Sequence, residues 1–178
     1  MKEKNEQLDF HIPRWNELPE LDLYLDQVVT FIDKYLSNYI NIDIENKNND
    51  EKEQKNTTCI TKTMINNYVK QNIIEPPVKK KYNRTHIAYL FVICILKQVY
   101  SISDIDKLIK LAQKDYPIDR AYNTFCDALE SSIKNTFAGK SHFDNINISP
   151  ATYLLLNVVQ TFASKLYVEK NYLKFKEK

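Results

Sequence analysis

Between residues 60 and 70 the chain reads Ile-Thr-Lys-Thr-Met-Ile-Asn-Asn-Tyr-Val-Lys. On a helical wheel at about 100° per residue, Ile60, Met64, Ile65, Tyr68 and Val69 share one half, and Lys62, Thr63, Asn66, Asn67 and Lys70 share the other. A side-chain amide can pair in bidentate fashion with adenine N6 and N7, and an ammonium reaches guanine or a phosphate, so the polar half carries the chemistry that reads a major groove. Ten residues on, Lys79, Lys80, Lys81, Tyr82 and Arg84 form a basic element of the kind that grips a phosphate backbone. Between residues 61 and 86 six cations face Glu75 alone, although the whole chain carries only +2. Positive charge is therefore concentrated here and the remainder is net acidic. Either feature alone is more often a solvated helix face or a charged loop; their adjacency favours duplex DNA.

Other reactive side chains do not assemble into a second chemistry. His11, His86 and His142 stand apart, with no His or Cys at metal-ligand spacing, so surface or capping roles are expected and no metal site. Cys59, Cys94 and Cys126 form no C-x-x-C pair, which suits a reducing compartment; Cys94 lies in the apolar run Phe91 to Leu96 and reads as core. Asp104, Asp106, Asp115 and Asp119 sit where helices start, and Ser131-Ser132 has no nucleophile elbow around it. The chain has one glycine, Gly139. That argues against phosphate-cradling loops, and equally against tight hairpin turns, since both rely on positive φ. No enzyme and no cofactor is expected. The opening residues MKEKNEQLDF lack an apolar signal core, and Ile87 to Leu96 is about half the length that spans a bilayer, so a soluble, cytoplasmic protein without membrane contact is expected.

The elements that must position the polar face follow from periodicity and caps. Apolar residues at Leu21, Leu25, Val28, Val29, Ile32, Tyr35 and Leu36 predict a helix from about Pro19 to Asn38. Residues 45–57 are polar and low in complexity and predict a mobile loop. Thr61 caps the next helix, with Ile60 and Ile65 as a hydrophobic staple, and Pro76-Pro77 forbids its continuation. A core helix is predicted from about Arg84 to Val99, a fourth from Ser101-x-x-Asp104 to about Lys114, a fifth ending near Gly139, and a sixth opened by Ser149-Pro150. Tyr153, Phe162, Tyr167, Tyr172 and Phe175 read as ordinary helix packing. The last helix is apolar beyond the needs of one face, which predicts a homodimer seam at Leu156, Val159 and Phe162.

The recognition-helix residues just named, Pro76 after Ile73-Ile74, Lys80-Lys81-Tyr82-Asn83-Arg84 and Tyr100 to Ile105 together resemble the winged helix-turn-helix of MerR-type regulators. With Ile12-Pro13-Arg14-Trp15 and Leu23 to Val28 they are similar to the bacterial family called domain of unknown function 1836, over roughly residues 8 to 130. In place of the arginine usual in MerR helices stand Asn66-Asn67, the wing lacks its glycine, and no long heptad helix follows. The resemblance thus implies a MerR-like DNA-binding module and no metal- or drug-sensing regulator. The expected architecture is all-α, a MerR-like helix-turn-helix with a short basic wing and a C-terminal helical extension. Residues 1–18 would form an arm, 19–115 the DNA-binding unit and 116–178 the extension. The expected function is sequence-specific binding of double-stranded DNA as a homodimeric transcriptional regulator. The alternative is a protein-interaction adaptor that keeps the scaffold without binding DNA.

Overall fold

The computed structural model describes residues 8–40, 58–140 and 149–173. The 45–57 loop, His142 and Phe175 lie outside them. Among the described residues the protein is mostly helical with one two-stranded sheet: β1 (Leu23–Tyr24), α1 (Leu25–Leu36), α2 (Lys62–Lys70), β2 (Lys81–Tyr82), α3 (Arg84–Leu96), α4 (Ile102–Asp115), α5 (Ile118–Phe137) and α6 (Pro150–Val168). The chain divides into two compact units: Asn16–Ile95, and a second that joins the residues up to Trp15 with those from Leu96 onward. This division falls after Ile95, whereas the expected functional boundary lay after Asp115. The 102–115 helix belongs with α5, on which it packs, and the arm belongs to the same unit although the whole of 16–95 intervenes in sequence.

Local signals set many of the ends. Thr61 Oγ1 accepts from the Met64 N–H at 3.2 Å and starts α2. Ser101 and Ser149 cap α4 and α6 in the same way, Pro150 taking the first helical position. Gly139 adopts φ +67° just past α5, where the Gly139 and Lys140 N–H groups donate back to Thr136 and Asn135. Asn72 does the same after α2 with φ +55°, its own N–H and that of Ile73 donating to Val69 and Tyr68.

The first helix departs from expectation. Its periodicity predicted a start near Pro19, but α1 begins at Leu25, and Leu21, assigned to the apolar stripe, is 81% exposed. The cause is non-local. Leu23 and Tyr24 pair antiparallel with Tyr82 and Lys81, and a backbone committed to that ladder cannot also be helical. Gln27 Oε1 accepts the Tyr24 N–H at 2.9 Å and turns the chain into α1. In the 16–95 unit Val28, Ile32 and Leu36 of α1, Ile65 and Tyr68 of α2, and Ile87, Leu90, Phe91 and Cys94 of α3 are buried, with edge-on rings between Phe31, Tyr35 and Phe91. The predicted core helix is therefore the core helix, ending at Leu96 short of Val99.

In the other unit α5 and α6 pack along their lengths, burying Phe125, Leu129, Ile133, Val159, Phe162 and Leu166. Val159 and Phe162 are thus interior to their own unit, Phe162 meeting Phe10 of the arm, and they are not free to form the predicted dimer seam. Phe162 and Tyr167 pack, Tyr167 against Phe137, whereas Tyr153 and Tyr172 are exposed. The arm runs antiparallel to α5. Tyr122 Oη donates to the Pro13 carbonyl, Asn123 Oδ1 accepts the Trp15 N–H, and Glu130 accepts both the Ile12 N–H and the Arg14 guanidinium.

Candidate nucleic-acid interface

The α2 helix sorts its side chains as its wheel required. Ile65 and Tyr68 are buried, Met64 and Val69 half-buried, and Lys62, Thr63, Asn66, Asn67 and Lys70 all exposed. The five polar groups therefore share one solvent face of a rigid, capped helix. What holds that helix at its N-terminal end is Asp33 of α1. Its Oδ2 accepts the Thr58 hydroxyl at 2.8 Å, and its Oδ1 accepts the Cys59 N–H at 2.8 Å and the Cys59 thiol at 2.9 Å. This tether was not legible in the sequence, because Asp33 reads as one more polar residue on α1.

Past α2 the chain makes a turn that the glycine count argued against. Lys79 and Lys80 adopt φ +50° and +64°, and the Lys81 N–H donates to the Val78 carbonyl at 2.9 Å. Two consecutive positive φ values at the centre of a two-residue connection are the pattern of a type I′ hairpin turn, which Asn-Gly ordinarily supplies. Lysine accepts that backbone only at a cost, so the glycine argument failed here by treating a preference as a prohibition. The turn puts the two lysines at an exposed tip.

The remaining predicted contacts divide. Lys81 is half-exposed, with Nζ 5.2 Å from the centre of the Tyr24 ring. Tyr82 was expected at the surface but is 3% exposed: its ring lies edge-on to His86 on the inner face of the ribbon, so it serves the core and not a contact. Arg84 is half-buried at the first position of α3, with Nη2 4.0 Å from the Glu20 carboxylate. His86 has the capping role expected of it. The Asn83 N–H donates to its Nδ1 at 3.1 Å, Asn83 Oδ1 accepts the His86 N–H, and Nε2 lies 3.2 Å from the Glu75 carbonyl. α2 and the ribbon both pack on α1, within one unit. Sequence reasoning missed Tyr24 and Val78, which flank the lysines and are 50% and 65% exposed.

A family described as "Domain of unknown function (DUF1836)" matches residues 13–125, well over half of the chain. The chain belongs to this family. No curated protein and no solved structure matches it. The DUF1836 stretch begins at Pro13 in the arm, takes in the whole 16–95 unit and α4, and ends on α5 just past Tyr122 and Asn123, the residues that hold Pro13 and Trp15.

Other chemistry in this DUF1836 protein is quiet. Among the described residues no group of three or more His, Cys, Asp or Glu is placed to hold a metal, and no helix is long and apolar enough to cross a membrane. All three thiols are buried. Burial pushes the Cys126 thiol up to about 12 although the Arg14 charge pulls the other way. A hydrogen bond with Cys94, then burial, pushes the Cys59 thiol up as well. The thiolate is the reactive form, so a disulfide reagent that counts thiols at neutral pH is expected to find none in the native protein and all three in denaturant. Prompt native reaction would mean that these side chains open to solvent.

Proposed function

We propose that residues 16–95 bind duplex DNA as a MerR-like winged helix-turn-helix, α2 entering the major groove while Lys79 and Lys80 grip the flanking phosphates, and that the protein thereby regulates transcription. One observation carries this reading: a short, doubly capped helix buries Ile65 and Tyr68 and presents Lys62, Thr63, Asn66, Asn67 and Lys70 together on its open face. A helix that only packed would need no such concentration of amides and ammonium groups without a carboxylate among them. Helix-turn-helix modules gain affinity by binding paired half-sites as dimers. A second copy would have to meet surfaces other than Val159 and Phe162, such as the exposed Leu154 at the start of α6. The adaptor alternative draws on the Glu20 carboxylate beside Arg84, which removes one cation from the basic strip.

The test is selection from random duplexes with the full-length protein, followed by anisotropy titration of the preferred site. Replacing Asn66 or Asn67 by Ala is expected to cost about 1–3 kcal/mol on that site and to leave the melting temperature unchanged, since both side chains are exposed. Failure of the wild type to bind any duplex at low salt, with the fold intact, would return the adaptor reading.

A further inference from the structure

We propose that Tyr24 and Val78 are direct DNA contacts, laid against the sugar edges of the strand whose phosphates the turn lysines hold; this rests on the DNA-binding reading above. Cross-strand partners in an antiparallel ribbon point to the same side. Tyr24 is the partner of Lys81, and Lys81 is bridged in turn to Val78. The three side chains therefore form a row across one face, a ring, an ammonium and an isopropyl group, while Tyr82 occupies the opposite, buried face. The row is open to solvent, with Tyr24 50% and Val78 65% exposed, and Lys81 sits over the Tyr24 ring. At one end of the row stand Lys79 and Lys80. By the pairing register, Asp22 and Glu20 continue away from the turn, whereas Asp26 follows Tyr24 into the first turn of α1.

Two apolar groups held rigidly beside three ammonium groups match a partner in which anionic and apolar surfaces alternate at short range. A nucleic-acid strand is such a partner, because each phosphate is flanked by deoxyribose carbons. The ribbon fixes the Tyr24 backbone through its ladder, so little conformational freedom is lost when the ring is covered.

The experiment uses the full-length protein, a labelled random-sequence duplex and polyaspartate, with affinities taken over a range of salt. Tyr24→Ala is expected to weaken duplex binding about tenfold, alike on all sequences, with unchanged melting temperature and an unchanged salt slope, because the phenol carries no charge. Tyr24→Phe should keep most of the affinity, and Val78→Ser should lose part of it. Lys79→Ala supplies the contrast, lowering the slope by about one. Wild-type affinity in Tyr24→Ala overturns the contact. So does a fall in slope, which would mean that Tyr24 only orients Lys81, and so does a Tyr24→Phe as weak as Tyr24→Ala, which would transfer the effect to the hydroxyl. Equal losses on polyaspartate would point to an acidic protein partner. A wild type that binds no duplex overturns the DNA reading and this contact with it, whereas binding by the wild type and by Tyr24→Ala alike overturns the contact alone.

Discussion

Glu130→Ala is expected to destabilise the unit formed by the arm and residues from Leu96 onward by about 2–3 kcal/mol. The Glu130 carboxylate accepts the Ile12 N–H at 3.1 Å and the Arg14 guanidinium at 2.8 and 2.6 Å, and it stands 3.0 Å from His11 Nδ1. Removing it takes away the better-shielded of the two carboxylates beside the guanidinium and leaves the largely exposed Asp127. Breaking a fully buried pair costs about 3–5 kcal/mol. Arg14 and Glu130 are each 23% exposed, so water recovers part of that loss and the lower figure applies. Phe10 and Ile12, both buried, should loosen with the arm. Thermal melting monitored at Trp15, the single tryptophan, whose N–H is held by Asn123, reads the effect where it occurs. A melting temperature within a degree of wild type would mean that the arm's apolar residues hold it without the ion pair.

The same site fixes a pH dependence. Burial works to raise the Glu130 pKa, but the hydrogen bonds from Arg14 and the Ile12 N–H, with the charges of Arg14 and His11, outweigh it and the pKa is lowered. A carboxyl depressed in the folded state contributes stability that is complete above its unfolded pKa, about 4.3, and that is lost as pH falls through the folded value. The stability that wild type holds over Glu130→Gln through the carboxylate should therefore persist above the unfolded value and close progressively as the pH falls below it.

The arm site marks a limit of what sequence conveys. Thr61, Ser101, Ser149-Pro150 and Gly139 announced helix ends because each acts on a backbone group within a few residues of itself. The one-sidedness of α2 was legible for the same reason: a helix converts spacing into a face. The Asn123, Asp127 and Glu130 stripe is written in α5 at helical spacing, yet nothing nearby says that it receives the arm, because its partners Trp15, Arg14 and Ile12 lie more than a hundred residues earlier. β1 was hidden likewise. Leu23-Tyr24 continues an apolar pattern that suits a helix, and only pairing with Lys81-Tyr82 makes it a strand. That pairing also buried Tyr82, which had been grouped with its basic neighbours, and exposed Tyr24.

The hairpin turn yields the most discriminating expectation, because its effects on folding and binding have opposite signs. Lys79 and Lys80 hold left-handed backbone at φ +50° and +64°, which costs lysine roughly 1–2 kcal/mol relative to glycine and less relative to asparagine, whose short side chain hydrogen-bonds locally there. The double change Lys79→Asn with Lys80→Gly supplies the residues that a type I′ turn prefers and relieves that strain, so unfolding of the 16–95 unit should become harder by about 1–2 kcal/mol. If the strain is kept because the lysines bind phosphate, the same variant should bind duplex DNA on the order of tenfold more weakly at moderate salt, and its salt slope should fall by about two. Lys79→Gln with Lys80→Gln separates the causes: it removes the charges and keeps the unfavourable backbone, so it should bind as weakly as the Asn-Gly variant without matching its gain in stability. Denaturant unfolding and anisotropy on one set of samples decide the matter. An Asn-Gly variant no more stable than wild type would mean that the left-handed backbone is relaxed in place. One that is more stable and binds DNA undiminished would remove the turn lysines from the interface, leaving α2 to bind alone.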